Sequence, residues 1–295
     1  MFLVYFSIIL ASFFLSRALF VPALALSYKV GAIDTPNERK IHTKSTARGG
    51  GLTFFVAFTL LLLIMPIENH FKVALAIGGT TTFLVGLWDD AASLSPFQKL
   101  AGQLLGAVVY IILKGQMTIT ESVLTLIWIV FIGNAINLSD GLDGLASGIT
   151  GAQALCLSAL SVMLGNSNVL LCSLLLLGAI LGFIPRNFPN AKIFMGDCGA
   201  LFLGFTLGAL SSELISASPS PILVLSVYLI FRMPSADAVV SFARRAIKGK
   251  NPFSADRGHF HHRLLSWGFS KECAALALIT ATMFFGFVGV LIALI

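Results

Sequence analysis

Charged side chains are scarce in this chain. They make up 11% of its 295 residues, against 57% hydrophobic residues, where an ordinary soluble domain carries about 25% charge. With a mean hydropathy of +0.93, the scarcity excludes a soluble enzyme. Cysteine is sparse too. Cys156, Cys172, Cys198 and Cys273 fall in or beside apolar runs, so no disulfide framework is expected. The N-terminus lacks a basic n-region, and its apolar stretch is too long for a cleaved signal peptide. The first helix is therefore expected to be a retained anchor. Period-2 alternation is missing from the apolar runs, which excludes a membrane β-barrel. Internal repeats of supersecondary size are missing as well. Leu60 to Leu63 and Leu174 to Leu177 read as lipid-facing composition.

What is present is a series of long apolar runs. A transmembrane helix needs about 20 mostly apolar residues. Reading between polar breaks gives ten candidates, roughly 3–27, 51–66, 73–87, 99–113, 123–138, 145–164, 169–185, 200–217, 221–243 and 273–294. The expected fold is an all-α polytopic integral membrane protein of about ten transmembrane helices. Residues 1–295 read as one transmembrane domain.

Basic residues fix the orientation. Of nineteen Lys and Arg, fifteen fall in one set of loops: Lys29, Arg39, Lys40, Lys44, Arg48, Lys99, Arg186, Lys192, Arg244, Arg245, Lys248, Lys250, Arg257, Arg263 and Lys271. Lys72 and Lys114 lie in the opposite set, and Arg17 and Arg232 lie within spans. By the positive-inside rule the first set is cytosolic, and ten spans put both termini outside. The net charge of +6 follows from this asymmetry. It suits anionic head groups and phosphates, and nucleic acid is not indicated.

The acids are placed as unevenly as the bases. Eight of them, Asp34, Glu38, Asp89, Asp90, Asp140, Asp143, Asp197 and Asp256, sit where apolar runs stop, all on the expected cytosolic side. The outer loops are too short to build a site, so a cytosolic active-site cleft is expected. Asp89-Asp90 closes the third span. Adjacent carboxylates repel unless a cation compensates; the bland reading is an interfacial anchor. Asn134 and Asn137 share a helix face at the end of an apolar span, where unpaired amides are costly. Asp140 and Asp143 repeat the spacing, each followed by Gly, which allows positive φ and close ligand approach. This array offers amides and carboxylates to a polar ligand. In Gly196-Asp197-Cys198-Gly199, small neighbours leave one carboxylate open. Mg²⁺ takes one or two carboxylates plus phosphate oxygens and water, so Asp197 is the first choice of metal ligand; a plain Gly-Asp turn is the alternative. Cys198 beside it is expected to make the site sensitive to bulky thiol reagents. His259, His261 and His262 could bind zinc, or donate to phosphates beside Arg257 and Arg263. The second reading is preferred, since no cysteine pair accompanies them. His42 is a further candidate in the first inner loop. Arg232 stands mid-span near Pro234 and Asp237, and could meet Asp237 only if the helix breaks.

Together, Asp34-Thr-Pro-Asn-Glu-Arg-Lys-Ile-His42, Asp89-Asp90, Asn134 to Leu145, Phe188 to Gly204 and Pro252 to Leu264 resemble one family. It is the polyprenyl-phosphate N-acetylhexosamine-1-phosphate transferases (glycosyltransferase family 4). The order is kept over about 34–264, and Asp256-Arg-Gly-His-Phe-His-His looks like the undecaprenyl-phosphate GlcNAc-1-phosphate transferase branch. Cys198 and Ala200 stand where that family commonly has serine, and Ser45 and Ala47 where it has proline. These departures put fine substrate choice in doubt more than chemistry.

The resemblance implies a Mg²⁺ cofactor (with Mn²⁺ as a substitute), a UDP-N-acetylhexosamine donor, an undecaprenyl phosphate acceptor, a homodimer, and residence in the bacterial inner membrane. It implies Asp89 and Asp90 as a catalytic dyad and Asp197 as Mg²⁺ ligand. Asp140, Asp143 and Asn187 would lie at the nucleotide-sugar, and His259, His261 and His262 at the phosphates. The implied reaction transfers N-acetylhexosamine 1-phosphate, foremost GlcNAc 1-phosphate, and releases UMP, as the first membrane step of cell-envelope polysaccharide (O-antigen, cell wall) synthesis. QuiNAc, FucNAc or MurNAc-pentapeptide donors remain alternatives. A phosphate monoester has its second pKa near ~6, so a base has little left to remove at neutral pH. Asp89 and Asp90 are therefore expected to position the acceptor and the metal. Two rivals from other classes fit less well. An ion-coupled transporter would hold its acids mid-span, often in repeated halves. A CDP-alcohol phosphotransferase would carry more widely spaced acids.

Overall fold

The structure is a computed structural model that describes residues 2–35, 45–249 and 258–295. It is all-α apart from one short ribbon. Helices α1 (Phe2–Ala18) and α2 (Phe20–Val30) lead into β1 (Ile33–Asp34) and β2 (Thr46–Ala47), which pair antiparallel with Asp34 opposite Thr46. There follow α3 (Gly51–Ile64), α4 (Asn69–Ala92), α5 (Pro96–Lys114), α6 (Ile119–Ser139), α7 (Leu145–Met163), α8 (Ser167–Asn187) and α9 (Gly196–Ala217). The chain closes with α10 (Pro221–Ile230), α11 (Arg232–Ile247), α12 (Phe260–Ser266) and α13 (Lys271–Ile292).

Seven of these helices are long and apolar enough to cross a membrane, and two bent pairs, α1–α2 and α10–α11, each reach that length together. With the shorter α3, every one of the ten apolar runs is helical. The expected short spans 73–87 and 99–113 are longer than their greasy segments. Glu68 caps α4 with both carboxylate oxygens, and a Ser95/Gln98 capping box starts α5, so polar ends extend both helices.

The two bends share one cause. A proline has no N–H for the carbonyl four residues back and crowds it. Pro22 faces Ala18, where α1 ends, and Pro234 faces Ile230, where α10 ends. The bends are 40° and 79°. Arg232 thus opens α11 on the same helix as Asp237, and the two do not meet. The Arg232 guanidinium lies over the Phe285 ring at 4.6 Å.

Helix α9 is the axis of the bundle, buried along nearly its whole length. Small residues let its neighbours close in: Gly204 meets Gly133 of α6, Gly199 meets Gly51 of α3, and Gly86 of α4 meets the backbone of Asp197 and Cys198. Such contacts replace the hydrophobic drive that lipid does not supply. Large side chains on the periphery, among them Ile112, Leu124, Ile127, Phe284 and Phe287, stay exposed, as a lipid-facing surface requires. A separate small core of Leu142, Leu145, Ile149, Ala274, Ala275 and Leu278 seats Phe260 and Leu264 of α12. It holds the histidine helix against one end of the bundle.

Candidate active site

At that end α4 and α6 finish, α5, α9, α12 and α13 begin, and the ribbon folds over. A cavity of about 500 Å³ opens there, lined by Asp34, Arg48, Lys99, Asn137, Asp140, Gly141, Leu142, Asp143, Asn187, Phe194, Gly196, Asp197, His261, His262 and Lys271.

Asp89 and Asp90 are successive residues of α4, so their side chains diverge by about 100°. Asp89 accepts from Leu94 N–H (2.7 Å) and pairs with Lys99 Nζ (2.5 Å). The same ammonium lies 3.2 Å from Asp197 Oδ1, which also accepts from Asn137 Nδ2. Asp90 turns the other way and accepts from the N–H groups of Asp197 (2.9 Å) and Cys198 (3.0 Å). It caps the first turn of α9, which has no side-chain cap of its own, and its charge suits the helix N-terminus. Gly196 has φ of +73°, and a Cβ there would collide with the Asp90 carboxylate. The glycines around Asp197 therefore serve the cap and the packing of α9 on α3 as well as access.

Several expected site residues line the cavity: Asn137, Asp140, Asp143, Asn187, Asp197, His261 and His262. Two of these also brace its wall. Asn187 accepts from Gly144 N–H (3.1 Å) and Ser147 Oγ (3.0 Å) and donates to Ile193 O (3.1 Å). Asp143 accepts from Ala191 N–H (2.9 Å).

Other expected contacts stand back from the cavity. Asn134 exchanges hydrogen bonds with Gln103 of α5 (2.7 and 3.4 Å), so the amide that looked ligand-seeking is spent on helix pairing. His259 is buried behind His261, with its ring parallel to the latter's at 5.8 Å. Arg263 is exposed and donates to Gly258 O (3.1 Å). Arg257, Asp256, Glu38 and His42 lie outside the described residues. Cys198 is fully buried, with Gly51 packed against its sulfur. That shields it from bulky thiol reagents, contrary to expectation, whereas Cys273 is exposed.

Sequence reasoning passed over Lys99, Arg48, Asp34 and Lys271 as cavity residues. For Lys99 a signal existed: a lysine just after the Ser95 cap of the helix that follows the Asp dyad. Arg48 depends on the ribbon, which carries its guanidinium to Asp34 (3.8 Å). Burial works to lower its pKa, but Asp34, Asp90, Asp197 and Asp140 outweigh it and raise the pKa. The Asp140 carboxyl is pushed up to about 7, by burial first and then by Asp197, with Arg48 opposing. His261 is lowered to about 4 by burial, reinforced by His262 and His259, so its ring is neutral at physiological pH.

Carboxylates, amides, three guanidinium or ammonium groups and two imidazoles thus converge on one cavity at the end of a lipid-facing bundle. Cations interleaved with acids suit a polyanionic ligand that brings its own metal. The oxygen donors are hard, and among the described residues no three acid, histidine or cysteine side chains form a metal cage. Mg²⁺ fits such a set when phosphate oxygens complete its shell, with Asp197 among the cavity-facing carboxylates.

A polytopic membrane protein with a charged, polar cleft at one end of its bundle is the class that fold and site define. The model of glycosyl transferase family 4 matches residues 72–215, which include Asp89, Asp90, Lys99, Asp140, Asp143 and Asp197. The chain is 34% identical over 270 residues to a Bacillus subtilis (strain 168) protein named "Probable undecaprenyl-phosphate N-acetylglucosaminyl 1-phosphate transferase", covering 86% of this chain and 75% of that one. It is 34% identical to the decaprenyl-phosphate N-acetylglucosaminephosphotransferase of Mycolicibacterium smegmatis, over 85% and 73% of the two chains. To the undecaprenyl-phosphate alpha-N-acetylglucosaminyl 1-phosphate transferase of Escherichia coli K12 it is 29% identical, over 96% and 82%. The chain belongs to glycosyl transferase family 4.

Proposed function

We propose that this protein transfers N-acetylhexosamine 1-phosphate, foremost GlcNAc 1-phosphate, from a UDP-sugar to undecaprenyl phosphate. UMP leaves, and the product is a polyprenyl-diphosphate sugar. The observation that carries the reading is the cavity in which Lys99, Arg48, His261 and His262 stand around Asp197. It suits a diphosphate, and the names of the relatives supply the polyprenyl phosphate. The bulk of basic residues at this end supports a cytosolic cleft in a bacterial inner membrane, with both termini outside.

Phosphoryl transfer needs positioning and charge neutralisation more than covalent help. When bound, Mg²⁺ would draw charge from the diphosphate. Asp197 would hold it, with Lys99 and Asn137 fixing the Asp197 carboxylate. His261 and His262 would donate to phosphate oxygens, and Asp140 and Asp143 would face the nucleotide-sugar. Asp89 is ion-paired with Lys99, so its carboxylate is engaged by that ammonium and need not act as a base. The acceptor phosphate is mostly ionised without one, its second pKa being near ~6. Asp89 therefore orients Lys99, and Asp90 orients α9. An Asp89→Asn variant inactive at low pH but restored at high pH would instead assign Asp89 the base role.

The direct test incubates purified protein with undecaprenyl phosphate, Mg²⁺ and a panel of UDP-sugars, and measures UMP. Release with UDP-GlcNAc is expected. Silence with every donor sinks the reading, and preference for another sugar reassigns the donor. An ion-coupled transporter finds no support in carboxylates gathered at one end of the bundle.

A further inference from the structure

The Asp237 side chain is buried (4% exposed) on α11, beyond the 79° bend, and takes no part in the cavity wall. Both its oxygens are committed to the histidine segment. Oδ2 lies 2.9 Å from His259 Nδ1, and Oδ1 accepts from Phe260 N–H at 2.8 Å, at the first turn of α12. An ionised carboxylate only accepts, so His259 Nδ1 must carry the hydrogen. That sets the ring's tautomer and leaves Nε2 as its other, variable nitrogen. Ser241, one turn further along the same face of α11, places its Oγ 3.2 Å from that Nδ1. Arg244, a turn beyond, donates to Ser241 Oγ (3.2 Å) and to Gly258 O (2.9 Å). The His259 ring in turn lies parallel to the His261 ring. His261 packs on Gly141, where a Cβ would overlap its Nε2, and faces the cavity.

We propose that Asp237 is a positioning residue for the cavity histidines, acting through His259: one face of α11, made by Asp237, Ser241 and Arg244, holds His259 and the start of α12 so that His261 and His262 meet the substrate phosphates. The proposal rests on the reading that these two histidines face the diphosphate. It assigns His259 a supporting role, and it ties the arm beyond the bend to the chemistry at the bundle end. A simple buried ion pair would need neither both carboxylate oxygens on consecutive residues nor a parallel ring passing the constraint on.

Nitrogen-15 histidine spectra of the full-length protein in detergent, with His259 assigned by its loss in His259→Gln, test the first link without any turnover. A neutral His259 with hydrogen on Nδ1, or a doubly protonated ring, is expected. A neutral ring with hydrogen on Nε2 overturns the proposal. Asp237→Asn presents an amide donor and is expected to switch the tautomer. Losses on removing such an orienting partner run about 10–100-fold, and kcat should fall by that much with little change in the KM for undecaprenyl phosphate. In a His261→Gln background the same Asp237→Asn change should have little further effect, since both act on one element. Full multiplicative losses in the double variant would make Asp237 a general structural residue and overturn the proposal. If the wild-type protein releases no UMP, the functional reading fails, while the tautomer result still decides whether Asp237 sets His259.

Discussion

Two ends of the same bundle carry charge, and they use it differently. At the end away from the cavity, Glu68 caps α4, Glu121 completes a capping box on α6, and Glu213 of α9 pairs with Lys114 of α5. Each acid there is committed to one helix cap or one ion pair. At the cavity end, Asp89, Asp197 and Asp143 are also partnered, but their partners come from different helices and loops and leave a polar space between them. Charge at a helix end is thus no mark of function. Convergence of charge from several ends on one cavity is.

The sharpest way to break this contrast is to neutralise one acid at each end. Asp197→Asn is expected to lower UMP release by about 10²–10³-fold, the scale for one preorganised charge-handling group, with the thermal unfolding midpoint little moved. Glu213→Leu strands Lys114 in a part-buried site. It should cost up to about 3 kcal/mol, the low end for a broken buried pair, because both partners keep 15–17% exposure. Its kcat/KM at a permissive temperature should stay near wild type. Activity lost with Glu213 and kept without Asp197 would reverse the assignment of the two ends.

A smaller effect separates structural amides from ligand-facing ones. Asn134→Leu leaves Gln103 unpaired and should cost about 1–3 kcal/mol, whereas Asn134→Leu with Gln103→Leu should recover most of it. A substrate role for Asn134 would instead show as lost activity in a fully stable double variant.

A further contrast is in pH. Asp140 is held up to about 7 in the folded state, against about 3.9 unfolded. It therefore costs nothing at pH 3 and destabilises the metal-free protein increasingly as pH rises from about 4 to about 7. Asp140→Asn should raise the unfolding midpoint at pH 8 in EDTA and leave it unchanged at the acid end. His261 runs the opposite way: its lowered pKa penalises the fold as pH falls below about 6.5. Melting curves of His261→Gln should flatten that side.

Much of the molecule was legible in its sequence because membranes simplify the reading. Each apolar run must satisfy its own backbone, so each becomes a helix, and all ten did. The acids at the ends of the runs, and the spacing of Asn137, Asp140 and Asp143, located the cavity wall. The bend at Pro234 was legible as a break, though its position at Phe231 needed the i−4 carbonyl to be considered. Less legible were the side chains whose partners lie far along the chain. Asn134 looked ligand-seeking until Gln103 answered it, and His259 looked substrate-facing until Asp237 did. Asp90 looked like half of a dyad, yet it caps a helix that begins at Gly196.

The sequence by itself determined that the ten apolar runs are helical and which of their ends carry acid, because hydrophobic length and residue type act locally. Which acids face the cavity was decided only by the tertiary structure. Two neighbours on a helix point about 100° apart, and only the packing of α4 against α9, allowed by Gly86 and Gly196, chooses which carboxylate caps α9 and which meets Lys99.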